Sequence, residues 1–110
     1  MLTFVETQVF TRQIVALTAD EEYAAFQRWL AANPDAGDPI RGMAGLRKVR
    51  MALPCRGKRG GARVLYLLFV RRETVCLVYA YSKGDIADAP PDVKRDLRRL
   101  VEAVKEEFAP

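Results

Sequence analysis

The chain has 110 residues, half of them apolar, with 18 Lys and Arg, 14 Asp and Glu, and no histidine. This apolar fraction excludes a disordered basic tail, and the length predicts a single domain, 1–110, with a modest core. The lack of histidine excludes paired His acid–base catalysis and His-ligated metal sites.

The positive charge is concentrated in the middle of the chain. Residues 41–72 contain ten basic residues and no acid, so the remainder carries a net charge of −6. Such a field attracts a polyanion, and RNA or DNA is the first candidate. The ten residues are Arg41, Arg47, Lys48, Arg50, Arg56, Lys58, Arg59, Arg63, Arg71 and Arg72.

The sequence predicts a cytoplasmic protein without a membrane segment. The longest mainly apolar run, Val64 to Val70, is too short to span a bilayer, and residues 1–4 lack the pattern of a secretion signal. Cys55 and Cys76 lack metal-ligand spacing and fit a reducing compartment. Cys76 lies in an apolar strand pattern, whereas Cys55 lies in a basic loop, where it is either a reactive thiol or a bystander.

The first third of the chain predicts a strand followed by two helices. Residues 2–5 favour a short strand, and Thr7 can cap a helix whose apolar residues recur at i, i+4 and i+7 from Phe10. Thr18 and Glu21 then form a capping box for a second helix, which ends before the next proline.

The periodicity then changes from helical to extended. Residues 33–45, rich in Gly and Pro, form an irregular connection. Residues 46–53 alternate as a strand that places Lys48 and Arg50 on one face and apolar residues on the other. Residues 54–61 form a long basic loop.

The last half of the chain completes a sheet and adds a helix. Residues 62–70 are apolar on both faces, as in a central strand, and the tight connection 71–74 returns the chain antiparallel along 75–82. A helix with one apolar stripe begins at 90–92. The predicted fold class is α+β, a mainly antiparallel sheet with the N-terminal helices and the C-terminal helix packed on one side.

The residue types restrict the chemistry. No acidic cluster near the basic block offers Mg²⁺ ligands and no P-loop is present, so we expect no metal and no cofactor. RNA cleavage remains possible, because a 2′-hydroxyl can attack the adjacent phosphate when a base deprotonates it. Crowded lysines lower one another's pKa and can supply that base, while arginines neutralise the charge that develops on phosphorus.

The candidate groups for this chemistry share faces of neighbouring strands. Lys48 and Arg50 share one face of their strand, and Tyr79, Tyr81 and Lys83 share a face of the last strand. Arg63 begins the central strand and can lie between these groups. Tyrosines beside cations are typical of RNA binding. A solvated strand face for the cations, and packing roles for the tyrosines and Trp29, are the ordinary alternatives.

Two segments carry a more specific signal than their composition. Residues 45–51, Gly-Leu-Arg-Lys-Val-Arg-Met, precede residues 56–66, Arg-Gly-Lys-Arg-Gly-Gly-Ala-Arg-Val-Leu-Tyr. Together with Phe10, the connection 33–40 and the Tyr81-x-Lys83 motif, they resemble the RelE/HigB-type toxins of bacterial toxin–antitoxin modules. The resemblance extends over nearly the whole chain and is strongest to the HigB-like branch.

That resemblance implies a small RelE-like fold and a toxin that inhibits translation. Such toxins are metal-independent hydrolases, ribosome-dependent endoribonucleases (mRNA interferases) that cut mRNA in the A site of the 70S ribosome. A cognate helix-turn-helix antitoxin neutralises them. By position in the motifs, the implied catalytic residues are Lys48, Arg50, Arg63, Tyr81 and Lys83. The implied RNA- or ribosome-binding residues are Arg47, Arg56, Lys58 and Arg59.

Two other functions use the same basic surface. One is a non-catalytic RNA- or ribosome-binding regulatory module, and the other is a partner that docks an acidic protein segment. The sequence leaves open the cleavage preference, the identity of the general base, the oligomeric state and the mode of inhibition by an antitoxin.

Overall fold

The computed structural model describes residues 2–51, 61–82, 84 and 86–108. The predictions made for Leu53, Cys55, Arg56, Lys58, Arg59 and Lys83 lie outside these residues. The described residues form five strands and three α-helices. In chain order these are β1 (Thr3–Glu6), α1 (Gln8–Leu17), α2 (Asp20–Ala32), β2 (Asp38–Pro39), β3 (Arg47–Met51), β4 (Ala62–Phe69), β5 (Thr74–Tyr81) and α3 (Pro91–Glu107).

The strands form one sheet in the order β1-β5-β4-β3-β2. β1 runs parallel to β5, and the other three pairs are antiparallel, so the predicted mainly antiparallel α+β fold is confirmed. The hairpin between β4 and β5 is also as predicted. The two-residue strand β2 was not predicted, because a pair containing a proline carries no strand periodicity.

The helices cover both faces of the sheet, so the prediction that they pack on one side is wrong. Phe10 of α1 and Phe26 of α2 belong to a core on one face, while Leu97 and Val101 of α3 belong to a core on the other. The physical reason is visible in β4, whose residues are apolar on both faces and therefore need cover on each.

The caps of the first two helices follow from side-chain oxygens. The Thr7 hydroxyl accepts a hydrogen bond from the Phe10 backbone N–H at 3.0 Å, as predicted for α1. At α2 the predicted Thr18–Glu21 box is displaced by one residue. The Glu22 carboxylate accepts from the Ala19 backbone N–H at 3.0 Å and from the Thr18 hydroxyl at 2.8 Å.

A buried tyrosine fixes the connection between α2 and β2. Tyr66 of β4 is fully buried, its hydroxyl accepts from the Gly37 N–H at 2.9 Å, and it donates to the Pro34 carbonyl at 2.8 Å. A Cβ at position 37 would lie 2.8 Å from the Tyr66 ring, so only glycine fits there. The connection that the sequence left irregular is therefore held in one place, beside β3.

No helix among the residues that the structure describes is long and apolar enough to cross a membrane.

Candidate active site

Strand pairing brings three of the predicted catalytic residues into one row. In the antiparallel register, Arg50 of β3 is opposite Arg63 of β4, and Arg63 is opposite Tyr81 of β5. Opposed residues on neighbouring strands project to the same face of the sheet, with Cβ atoms about 5 Å apart. Residues far apart in the sequence, 50, 63 and 81, thus become direct neighbours.

A cleft of about 450 Å3 opens on this face. Lys48 lies two residues before Arg50 on β3 and shares its face, so three of the described residues that line the cleft are cations. Arg50 is exposed, and Lys48 and Arg63 are half-buried. Three positive side chains around one concave surface favour a phosphate or another compact anion.

One carboxylate also lines the cleft, and the sequence reasoning missed it. Asp38 of β2 is the register partner of Lys48, which places it at the rim of the cationic surface. The sequence predicted no acid near the basic block because none lies close to it along the chain. In the fold, pairing of β2 with β3 brings Asp38 next to Lys48. The Gly-Asp-Pro motif at residues 37–39, within the connection 33–45, was the available signal.

Arg63 is held in position by the backbone. Its Nη1 donates to the Ser82 carbonyl at 2.8 Å, which ties the start of β4 to the end of β5. A guanidinium carries five N–H groups, and this anchor engages one of its terminal nitrogens. An arginine oriented in this way can present a fixed pair of donors to a phosphate, which lowers the entropic cost of binding.

A bulge in β5 places both of its tyrosines on the site face. The register passes from Leu65 opposite Tyr79 to Tyr66 opposite Leu77, which leaves Val78 as the extra residue. Val78 and Tyr79 consequently pack toward the same core, the one covered by α3. The rings of Tyr79 and Tyr81 lie side by side, 6.2 Å apart between centroids.

Two side chains, from the N-cap of α1 and from α1 itself, stabilise the bulged part of β5. The Thr7 hydroxyl donates to the Val78 carbonyl at 2.7 Å, and the Ala80 N–H donates to the Gln13 side-chain oxygen at 2.8 Å. β1 pairs with β5 only as far as Leu77, so these two side chains bond backbone groups beyond the end of β1. The placement of Tyr79 and Tyr81 thus depends on α1.

Arg47 is not brought into the cleft. It alternates with Lys48 along β3 and is opposite Tyr66, on the other face of the sheet. Its Nη1 donates to the Gly37 carbonyl at 2.6 Å and to the Asp35 carbonyl at 3.2 Å. Arg47 therefore stabilises the connection before β2 and does not line the cleft.

Trp29 borders a second, apolar groove. The side chain is 45% exposed, and its ring contacts Phe26 in a tilted arrangement with 6.2 Å between ring centroids. A groove of about 490 Å3 runs from these rings to Met51 and Arg50 of β3. Trp29 therefore packs on its own helix and presents an exposed edge.

The described cysteine is a core residue. Cys76 of β5 is 1% exposed, as predicted, and burial raises the pKa of its thiol to about 11, with a smaller contribution from Glu107. The thiol therefore stays protonated at neutral pH. Among the described residues, no three His, Cys, Asp or Glu side chains lie close enough together to hold a metal ion.

No protein-family model matches the sequence. The fold does match a chain of the crystal structure of the intact E. coli RelBE toxin–antitoxin complex, with a TM-score of 0.58. The superposition covers 77% of this chain and 99% of that chain at 15% sequence identity. At this identity the likeness concerns the fold, and this chain therefore has a RelE-like α+β fold.

Proposed function

We propose that this chain is the toxin of a type II toxin–antitoxin module, and that it cleaves ribosome-bound mRNA. The observation that carries the proposal is the cross-strand row of Arg50, Arg63 and Tyr81, with Lys48 beside it in the cationic cleft. The RelE-like fold, shared with a chain of a toxin–antitoxin complex, supports the same function.

The proposed reaction is an internal transfer at phosphorus. The 2′-hydroxyl of one nucleotide loses its proton to a base of the site and attacks the adjacent phosphorus, forming a 2′,3′-cyclic phosphate. The bond to the 5′-oxygen of the next nucleotide breaks, and that oxygen takes up a proton. Arg63 and Arg50 would neutralise the extra negative charge on the phosphorane, a contribution commonly worth 10²–10³ in rate.

The remaining roles are assigned from the motifs of the sequence. Lys48, which lines the cleft, contacts the phosphate or receives the 2′-hydroxyl proton. Tyr81, which is opposite Arg63 in the sheet, acts together with Lys83 on the same nucleotide. Arg56, Lys58 and Arg59 contact the ribosome or the RNA. The 70S ribosome would hold the message in line for attack, and such positioning is a large part of the rate acceleration in a reaction of this kind.

The proposed cellular partner is a helix-turn-helix antitoxin. The solved neighbour is a toxin–antitoxin complex, which supports a partner of this class. An acidic antitoxin segment would complement the three cations of the cleft. Assignment to the HigB-like branch rests on the motifs of residues 45–51 and 56–66.

Induced expression and translation in extracts test the proposal. The wild-type chain should arrest growth and cut a message that is being translated, but leave the same RNA intact when ribosomes are absent. Arg63→Ala and Lys83→Ala should abolish both effects, while Arg98→Ala, an exposed arginine of α3, should retain them.

The outcomes separate the proposed function from its alternatives. A non-catalytic RNA- or ribosome-binding module would lose affinity gradually as cations are removed, with steep salt dependence and no cleaved product. Full toxicity of both the Arg63 and Lys83 variants would contradict the site.

A further inference from the structure

A second pocket adjoins the cationic cleft and differs from it in chemistry. It has a volume of about 300 Å3, and its walls include Tyr79, Tyr81, Ile86, Val93 and Asp88. Gly84 lines both the pocket and the cleft. Because Tyr81 is opposite Arg63 in the sheet, a ligand held by Arg63 can reach the pocket directly.

The pocket suits an uncharged aromatic ring better than a phosphate. Two tyrosine rings and the aliphatic side chains of Ile86 and Val93 provide flat and apolar surface, on which nucleobases stack. Among the described residues that line it, the one charged at neutral pH is Asp88, which repels phosphate. The cleft therefore suits the phosphate of a nucleotide, and the pocket suits its base.

The backbone around the pocket is well suited to hold Asp88 in place. Asp88 ends a short 3-10 turn, Ile86–Asp88, whose first residue is buried in the core covered by α3. The Ala89 N–H closes this turn on the Ile86 carbonyl at 3.1 Å. Gly84, with φ of +85°, makes the preceding bend, which a residue with a side chain would adopt only with strain.

The chemistry of Asp88 selects among the four bases. A carboxylate only accepts hydrogen bonds, and guanine alone offers two adjacent donors, N1–H and the N2 amino group, on its Watson–Crick edge. Adenine and cytosine place an acceptor nitrogen beside their amino group, and uracil places carbonyls on both sides of its one N–H. A carboxylate at this position therefore favours guanine and opposes the other three bases.

We propose that this pocket binds a guanine base of single-stranded RNA, stacked on Tyr79 and hydrogen-bonded by the Asp88 carboxylate, while the cleft binds a neighbouring phosphate. The proposal rests on the proposed function, since it names the base that the same site prefers. It makes Asp88 a specificity-determining residue that takes no part in the transfer at phosphorus.

The test measures binding of short uridine-rich RNA oligonucleotides to the full chain. The oligonucleotides differ only in one central base and carry 2′-deoxy sugars at that nucleotide and at the one before it, so that neither flanking phosphate can be cleaved. Amide NMR signals of Tyr79, Gly84 and Asp88 report the site. The guanine oligonucleotide should bind about tenfold or more tightly than the others and should shift these signals, as one good bidentate base contact predicts.

An Asp88→Asn variant sharpens the test. The amide offers one donor and one acceptor, which match adenine and cytosine, so the preference for guanine should fall about tenfold and binding of the adenine and cytosine oligonucleotides should increase. Asp96→Asn, an exposed aspartate of α3, is the matched control and should keep the wild-type preference. Circular dichroism checks that each variant is folded.

Two outcomes would overturn the proposal. One is equal binding of all four oligonucleotides, and the other is a guanine preference that is unchanged in Asp88→Asn. Failure of the proposed function would give a different result. Guanine binding that depends on Asp88, without cleavage of translated mRNA, would contradict the endoribonuclease and support the guanine pocket. Cleavage with a base preference that is the same in wild type and Asp88→Asn would contradict only the guanine pocket.

Discussion

The two faces of the sheet at β3 and β4 use the same residue types in opposite ways. On one face, Arg47 donates to the carbonyls of Asp35 and Gly37, and Tyr66 is fully buried with both of its hydrogen bonds directed at the same connection. On the other face, Arg50 and Arg63 line an open cleft. Arg47 and Arg50 are three residues apart on β3 and therefore face opposite sides of the sheet, where one holds a backbone connection and the other can contact a ligand.

The comparison predicts that variants on the two faces fail in different assays. Changes on the cleft face should mainly alter activity, and any loss of stability at Arg63 should be limited to its hydrogen bond to the Ser82 carbonyl. Changes on the face of Arg47 and Tyr66 should lower the free energy of unfolding and leave the activity of each folded molecule nearly constant.

The largest effect is expected at Arg63. Replacement by alanine should reduce cleavage of translated mRNA by about 100-fold or more, because one of the charge-stabilising donors at phosphorus is lost. Arg63→Lys should recover part of that loss, since it restores the charge without the paired donors. Rates of product formation in a translation extract measure both, and equal rates for wild type and Arg63→Ala would remove Arg63 from the site.

The next effect is a loss of stability at the Tyr66–Gly37 contact. Tyr66→Phe leaves the Gly37 N–H and the Pro34 carbonyl without their partner and should lower the free energy of unfolding by about 1–3 kcal/mol. Gly37→Ala should cost a similar amount, because the new Cβ overlaps the Tyr66 ring. Denaturant titration measures both variants.

A double variant tests whether the two changes act on one contact. The combined loss should be smaller than the sum of the single losses, since residues in contact are not additive. Tyr79→Phe, at a half-buried position on the other face, is the control and should change stability by less than about 0.5 kcal/mol. Additive losses for Tyr66 and Gly37 would show that they act independently.

A smaller effect separates Arg47 from Arg50. Arg50→Ala should lower the salt dependence of RNA binding, reducing the slope of log K against log salt by about 0.7, the value for one phosphate of a single strand. Arg47→Ala should leave that slope unchanged and lower the stability, because Arg47 lies on the face of the sheet away from the cleft and its Nη1 donates to two backbone carbonyls. An equal reduction in slope for both would contradict the division between the faces.

The smallest effect concerns alkaline pH. Burial raises the pKa of Cys76 from 9.0 to about 11, so the stability that the neutral thiol contributes is fully present below about pH 9. It should be lost as the pH rises from 9 to 11, because only the unfolded chain ionises readily in that window. Denaturation of a Cys55→Ser variant across this range, compared with Cys55→Ser/Cys76→Ala, should show the larger loss when Cys76 is present. Burial also raises the pKa of Tyr23 and Tyr66, so these two residues add the same loss to both variants.

The sequence predicted the fold well where periodicity is strong. The helices around Phe10 and Phe26, the antiparallel hairpin of β4 and β5, and the stripe of α3 all agree with the structure. The side of the sheet on which each helix packs was not predictable from single elements, since the periodicity of a helix does not say which face of the sheet it covers.

The candidate site was predictable in part. Period-two alternation placed Lys48 and Arg50 on one face, but only the register shows that Arg50, Arg63 and Tyr81 form a row. The position of Asp38 beside Lys48 and the hydrogen bonds of Arg47 both depend on the pairing of β2 with β3. A strand of two residues is too short to show a period-two alternation in the sequence.

The most direct test of the central claim examines the ends of the RNA fragments. Purified wild-type chain is added to a translating extract, and the fragments of a reporter mRNA are analysed for a 2′,3′-cyclic or 3′-phosphate. Such ends are expected on the translated message, and none are expected with Arg63→Ala even where that variant still binds ribosomes. Ribosome binding by the wild type without new RNA ends, or the same ends with Arg63→Ala, would contradict the central claim.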